Sequence, residues 1–236
     1  MAASSPFLTV FAIYPGMTQL DFTGPHQFLS RLPNSETLVA SPAGGEITSG
    51  GLIFAHTLRL AEISACDLIC VPGGVNAAEM ALDEEFTGEI RRLAASARYV
   101  TSVCTGSLIL GAAGLLVGKR AACHWAWRDL LTHFGAIPDP GRVVRDGHVI
   151  TGGGVTAGID FALTILAEIA GPEVAQTLQL GLEYAPAPPF DAGRPESAPA
   201  AIVEQYQTRM APIAATRKAQ TRKAAARLAV QPGATA

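Results

Sequence analysis

The sequence predicts an α/β fold, with a mostly parallel central sheet and helices on both faces. Three observations carry this reading. Short apolar runs such as CDLICV and YVTSVC have the length and continuity of strands buried on both sides. Helix-length patterns alternate with them, as crossovers between parallel strands require. Of the 236 residues, 49% are hydrophobic and only 16% charged, so the chain can build one large core without covalent staples.

In chain order, FLTVFAIY (7–14) is the first strand. The opening MAASSPFLTVFAIYPG lacks a basic n-region, and Pro15-Gly16 end its apolar run early, so it is read as a buried strand and not a signal peptide. LDFTGPHQFLSRL (20–32) is helical, with Pro25 expected near the helix start, where a missing N–H is harmless. ETLVAS is a strand, and ITSGGLIFAHTL (47–58) is a hairpin about Gly50 and Gly51. CDLICVPGG is a buried parallel strand entering a tight loop. DEEFTGEIRRLAASAR places acidic residues early and arginines late, as a helix dipole favours. YVTSVC repeats the buried-strand pattern and TGSLILGAAGLL supplies its helix. RVVRDGHVIT is a hairpin turning at Asp146-Gly147. Two apolar helices follow, GGGVTAGIDFALTILAEIA and PEVAQTLQLGLEYA; a proline-rich surface segment, APAPPFDAGRPESAPA, then leads to a last helix. No internal repeat is present.

Several classes are excluded. A net charge of −3 leaves no electrostatic footprint for nucleic acid. The tail from Arg209 to Arg227 is basic, but its alanine-rich pattern reads as a solvated helix face. No apolar run reaches the ~18 residues a membrane helix needs. The four cysteines, Cys66, Cys70, Cys104 and Cys123, lie in apolar sequence without a secretory signal, which points to a reduced, cytoplasmic setting. Cys66 and Cys70 have no second Cys/His pair at zinc-site spacing, so they are read as structural and no metal is expected.

Chemistry concentrates at Cys104. It stands where a strand gives way to a helix, with Thr105 and Gly106 behind it, the cysteine version of a nucleophile elbow. The helix start is expected to lower its thiol pKa; an inert buried cysteine is the alternative. Gly73 and Gly74 end a neighbouring strand, so their N–H groups can either stabilise developing negative charge or merely make the turn. A nucleophile needs a proton-transfer partner. Asp21 follows the first strand at the same sheet edge, although on local pattern alone an ordinary N-cap with Thr23 nearby is the favoured reading. His124, in AACHWAW, is the other candidate, against the reading of a packed histidine beside two tryptophans. TGGGVTAG fits G-x-G-x-x-A at Gly152, Gly154 and Ala157, but no βαβ unit with a terminal acid follows, so close helix packing explains it better than a dinucleotide.

DFTGPHQFL, VPGG, YVTSVCTGSLILGAAGLLVGKRAACHWAW, VVRDGHVITGGGVTAGIDFAL and LEYAPAPPFDAG together resemble, in order and spacing, the isonitrile hydratase branch of the ThiJ/PfpI family, within the class I glutamine amidotransferase-like superfamily. The resemblance spans nearly the whole chain and is weakest in the first few and last twenty residues. It implies a flavodoxin-like sandwich with a cysteine nucleophile elbow. It also implies one ThiJ/PfpI-like domain over 1–236, with a core of about 6–185 and a proline-rich loop and C-terminal helical extension of about 186–236. The implied activity is a lyase, a cofactor-free, metal-free homodimer that hydrates a small isonitrile to the N-substituted formamide through a covalent thioimidate. The family's catalytic cysteine falls on Cys104, its aspartate on Asp21 and its active-site threonine on Thr105. Gly73, Gly74 and His124 would serve the substrate or its oxyanion. Many relatives carry glutamate at the position of Asp21, so the shorter acid favours the hydratase branch. AraC-type regulators share the CTG and HW motifs but add a DNA-binding domain, for which the chain is expected to have no room. No nucleic acid or membrane partner is implied.

Two other functions fit the residues. One is a different cysteine-nucleophile enzyme, an amidase or glyoxalase-type hydratase, pairing Cys104 with His124. The other is a redox sensor that signals by oxidation of Cys104.

Overall fold

The computed structural model describes residues 5–230. The chain begins with β1 (Phe7–Ala12), α1 (Gln19–Leu29), β2 (Ser35–Ser41) and a hairpin of β3 (Gly45–Ser49) and β4 (Leu52–Arg59). It continues through β5 (Leu68–Val71), a single turn α2 (Ala77–Met80), α3 (Glu84–Ala94), β6 (Tyr99–Val103) and α4 (Gly106–Ala112). Short strands β7 (Arg120–Ala121) and β8 (Ile137–Pro138) flank a 3₁₀ segment, Arg128–Phe134. Then come β9 (Val143–Asp146), β10 (Val149–Gly152), α5 (Ala157–Ala170), α6 (Pro172–Gly181) and the long α7 (Ala200–Val230).

Eight strands form one sheet in the order β3-β4-β2-β1-β5-β6-β10-β9. Only the outer pairs β3–β4 and β9–β10 are antiparallel; the rest run parallel. The central strands β5 and β6 are buried at every position, which explains their unbroken apolar runs. The chain leaves β1 toward β2 on one side and later returns to place β5 on the other. A crevice therefore opens at the carboxyl ends of β1, β5 and β6, where open α/β sheets place their ligands. Helices α1, α5 and α6 pack together, as do α2, α3, α4 and α7, matching helices on both faces.

Two local expectations change in detail. Pro25 lies seven residues into α1, not at its start. It gives no N–H to the Asp21 carbonyl four residues back, and its ring instead packs on α5. A Cβ at Gly158 would fall 2.9 Å from Pro25 Cδ, so the glycine lets the two helices approach. Close packing is thus what Gly158 of the TGGGVTAG segment supplies, whereas a Cβ at Gly152, Gly153 or Gly154 would meet only ordinary contacts. In the second hairpin Asp146 pairs with Val149, leaving Gly147 (φ 65°) and His148 as the turn. The hairpin at Gly50 and Gly51 forms as expected, with φ of 57° and 80°.

Candidate active site

Cys104 directly follows β6 with φ of 59°, a left-handed conformation uncommon for a residue with a side chain. The surroundings hold it there. Its N–H donates to the Gly152 carbonyl at 3.0 Å. Below the turn, the Ser102 and Ser107 hydroxyls meet at 2.9 Å, and Ser107 donates to the Ala122 carbonyl at 2.6 Å. The thiol is 5% exposed, at the rim of the crevice.

Asp21 sits in the first turn of α1, fully buried. It does not cap the helix, since Thr18 holds that position. Its Oδ2 accepts the Gly73 N–H at 3.0 Å, while Oδ1 accepts no N–H or O–H hydrogen bond. The Cys104 thiol hydrogen-bonds to this carboxyl, whose charge is also felt by Tyr14, Cys70 and Cys123. Thr105 is fixed in the same way: its Oγ1 accepts the Gly74 N–H at 2.9 Å and lies 3.2 Å from the Gly74 carbonyl. The Gly73 and Gly74 amides, expected to face an oxyanion, are therefore committed to Asp21 and Thr105. Gly74 also meets the chain before α1, where a Cβ would fall 2.4 Å from Met17 Cα. These glycines position the acid and the threonine.

Burial raises Asp21 from 3.8 to about 7, against the lowering effect of hydrogen bonds from Cys104 and Gly73. Burial also pushes the Cys104 thiol well up, followed by the charges of Asp21 and Cys123, while the Thr105 N–H pulls it down. A thiol lowered by the helix start was expected; α4 is only seven residues long, and burial outweighs it. Two negative charges in one buried site oppose each other, so the Asp21–Cys104 pair carries at most one near neutral pH. With the proton on Asp21, the largest charge opposing the thiolate is gone.

His124 shares a cavity of about 140 Å³ with Cys104 and Thr105. Burial, and then the Arg217 charge, lower it to about 4, so it is neutral at pH 7. Its Nδ1 accepts the Ala126 N–H at 3.3 Å, and its ring stacks with Trp125 and Tyr206. Neither feature suits a base for Cys104. A second cavity of about 240 Å³ lies across His124 and Val155, which line both.

The larger departure from the sequence reading is α7. Tyr206, Met210 and Arg217 of this helix line the cavity beside Cys104, and Arg217, Thr221, Ala224 and Leu228 are buried at helical spacing. The basic tail is solvated along one side, where Arg209, Lys218, Arg222 and Lys223 are exposed, but its other side is docked on the domain and carries Arg217 into the site. Its signal was the small and apolar stripe running between the charges.

Cys66, Cys70 and Cys123 are buried, and burial pushes each thiol up to about 12. Among the described residues no cluster of three or more His, Cys, Asp or Glu side chains is placed to hold a metal ion, and no helix is long and apolar enough to cross a membrane.

This geometry can be set beside known proteins. The DJ-1/PfpI family pattern matches residues 9–168, which includes Asp21, both glycines, Cys104, Thr105 and His124. The chain belongs to the DJ-1/PfpI family. Within the family it is 52% identical, over 92% of its length and 96% of the relative's, to a Pseudomonas putida protein named isonitrile hydratase. A ThiJ/PfpI family protein from Pseudomonas syringae superposes with a TM-score of 0.86 at 39% identity, covering 93% of this chain and 90% of that one. A Caenorhabditis elegans glutathione-independent glyoxalase is more distant, 30% identical over 48% of this chain and 60% of its own. The resemblance read from the motifs and these comparisons agree on the mostly parallel DJ-1/PfpI fold.

Proposed function

We propose that this chain is an isonitrile hydratase, adding water to R–N≡C to give R–NH–CHO. The observation that carries the reading is a buried carboxyl, raised to about 7, set against a cysteine on a strained elbow. The 52% identity to the Pseudomonas putida isonitrile hydratase supports it over nearly the full length.

In the mechanism, Cys104 as thiolate attacks the terminal carbon, and the protonated Asp21 gives its proton to that carbon. The product is the thioimidate R–N=CH–S–Cys104, with Asp21 now a carboxylate. Asp21 then takes a proton from water as the hydroxide adds to the carbon, and returns it to nitrogen. The adduct R–NH–CH(OH)–S–Cys104 collapses: the hydroxyl proton passes to Asp21, the C–S bond breaks, and the formamide leaves with the thiolate restored. One residue that both gives and receives a proton needs a pKa near the working pH, which is what burial provides. Gly73 holds Asp21 in place through Oδ2, leaving Oδ1 for the transfer, and Thr105 orients the adduct. His124 shapes the pocket as a neutral ring. No cofactor takes part. The working unit is a homodimer in the cytoplasm, and the chain is a single ThiJ/PfpI-like domain with a C-terminal helical extension.

The test is direct. Purified protein with a simple alkyl isonitrile and no added cofactor should release the formamide, read by chromatography. A folded protein whose Cys104 alkylates readily but which yields no formamide would defeat the reading.

A further inference from the structure

Arg217 reaches the site from α7, and the mechanism above gives it no task. It is 6% exposed, and its guanidinium lies 4.4 Å over the Trp127 ring. One nitrogen donates to the Val75 carbonyl at 2.8 Å and the Gly74 carbonyl at 3.2 Å. Among the described residues it forms no ion pair. A guanidinium taken from water without a counter-ion is costly, and the aromatic face and two charge-assisted bonds offset only part of that cost.

Its neighbours narrow the source of the missing negative charge. Tyr14 faces it from the end of β1, Tyr206 from α7 itself, and Cys123 and His124 from the segment after β7. Arg128 and Arg209 add positive charge near Cys123 and Tyr206. Burial leads the causes that keep Tyr14, Tyr206 and Cys123 protonated, and His124 is neutral. What is left is the single charge shared by Asp21 and Cys104, and Cys104 lines the same cavity as Arg217. The contact with Gly74 is equally pointed. That carbonyl also meets the Thr105 hydroxyl, and the Gly73 and Gly74 N–H groups of the same loop hold Asp21 and Thr105.

We propose that Arg217 is a positioning residue of the reaction: it fixes the Gly74 and Val75 carbonyls of the loop whose Gly73 and Gly74 N–H groups hold Asp21 and Thr105, and it is the counter-charge of the Cys104 thiolate. The inference rests on Cys104 as nucleophile, not on the identity of the substrate.

Arg217→Met keeps a flexible apolar contact with Trp127 and removes the charge; Arg217→Lys keeps the charge but not the planar fork. The rate of Cys104 alkylation by iodoacetamide, followed against pH by mass spectrometry, reads the thiolate without any isonitrile. The Met variant should shift the labelling midpoint upward by about one pH unit, or about tenfold in rate at neutral pH. Its turnover should fall at least as far, with KM little changed. The Lys variant should keep the parental midpoint and still lose turnover. A folded Met variant with the parental midpoint, or a Lys variant shifted as far as the Met variant, overturns the proposal. If the Met variant does not fold, the Lys variant decides: a parental midpoint with reduced turnover supports the proposal, and parental values of both overturn it. A shifted midpoint in a protein whose parent makes no formamide would instead defeat the hydratase reading and leave this one standing.

Discussion

Asp21 Oδ2 accepts the Gly73 N–H at 3.0 Å, and a Cβ at Gly73 would fall 2.8 Å from that same oxygen and 2.4 Å from the Thr105 nitrogen. The acid, the glycine and the elbow thus occupy space that admits no further atom. Asp21 is held through the loop that ends β5, and the loop is closed against the residue that follows Cys104.

Gly73→Ala should therefore act on turnover through geometry alone. The added methyl meets backbone at Thr105 as well as the carboxyl, so neither can simply rotate away. Displacement of a reacting group by about 1 Å can cost about 10² in rate, and overpacking costs about 1–3 kcal/mol. Formamide release and urea unfolding measured together should show both losses. Parental turnover in this variant would mean that the Gly73 contact does not position Asp21.

Asp21 should make the protein less stable as pH rises. Its folded pKa is about 7 against 3.8 unfolded, so the unfolded chain binds fewer protons between these values. The stabilising contribution is fully present below pH 3.8 and is lost as pH rises through 7. Asp21→Asn keeps the shape and cannot ionise, so it should gain on the parent across that window, by about 2–4 kcal/mol at its upper end. Melting curves of both proteins at several pH values check this. A difference that does not grow with pH would show that Asp21 is not held protonated.

Cys104 should alkylate before the other three thiols. All four are buried and burial pushes every thiol up, so access and a neighbouring acid decide the order. Cys104 has a cavity before it, a helix N-terminus beneath it and an acid that can hold the opposing proton. Peptide mapping after brief iodoacetamide treatment near neutral pH gives the order. Faster labelling of Cys123, which borders the larger cavity, would remove the nucleophile assignment.

The parts legible in the sequence were those fixed by local chemistry. Apolar runs gave β5 and β6, and the strand–Cys–Thr–Gly–helix order gave the turn at Cys104, because period and glycine placement act over a few residues. The N–H directions of Gly73 and Gly74 were not legible, since they depend on which side chains arrive from α1 and α4. Nor was the thiol's environment: a helix start is visible in sequence, but the burial that outweighs it is a property of the packed crevice. Arg217 lies 113 residues beyond Cys104 along the chain. Only the docking of α7 onto α2, α4 and the 3₁₀ segment brings it to the site, and among so many surface arginines nothing local marks it. Pro25 became intelligible only with Gly158 opposite it.

The ranking of four variants separates the three functions. Under hydration, Asp21 must give and take a proton in one turnover. Asp21→Asn cannot, and should lose at least the ~10² expected of a missing acid–base group. Cys104→Ala should lose as much or more. The double variant should be scarcely worse, because residues of one catalytic unit are not additive. His124→Gln should lose less than either, since His124 is held near a pKa of about 4 with Nδ1 already accepting from Ala126. An amidase built on a Cys–His pair gives the reverse order, with His124 essential and Asp21 dispensable. A redox sensor gives no formamide from any protein, parent included. The same pKa adds a second discriminator: a His124 base would make activity fall as pH drops through about 4, whereas the Asp21 shuttle places its sensitive range near 7. Near-parental turnover in a folded Asp21→Asn would leave the reaction possible and the proton route wrong.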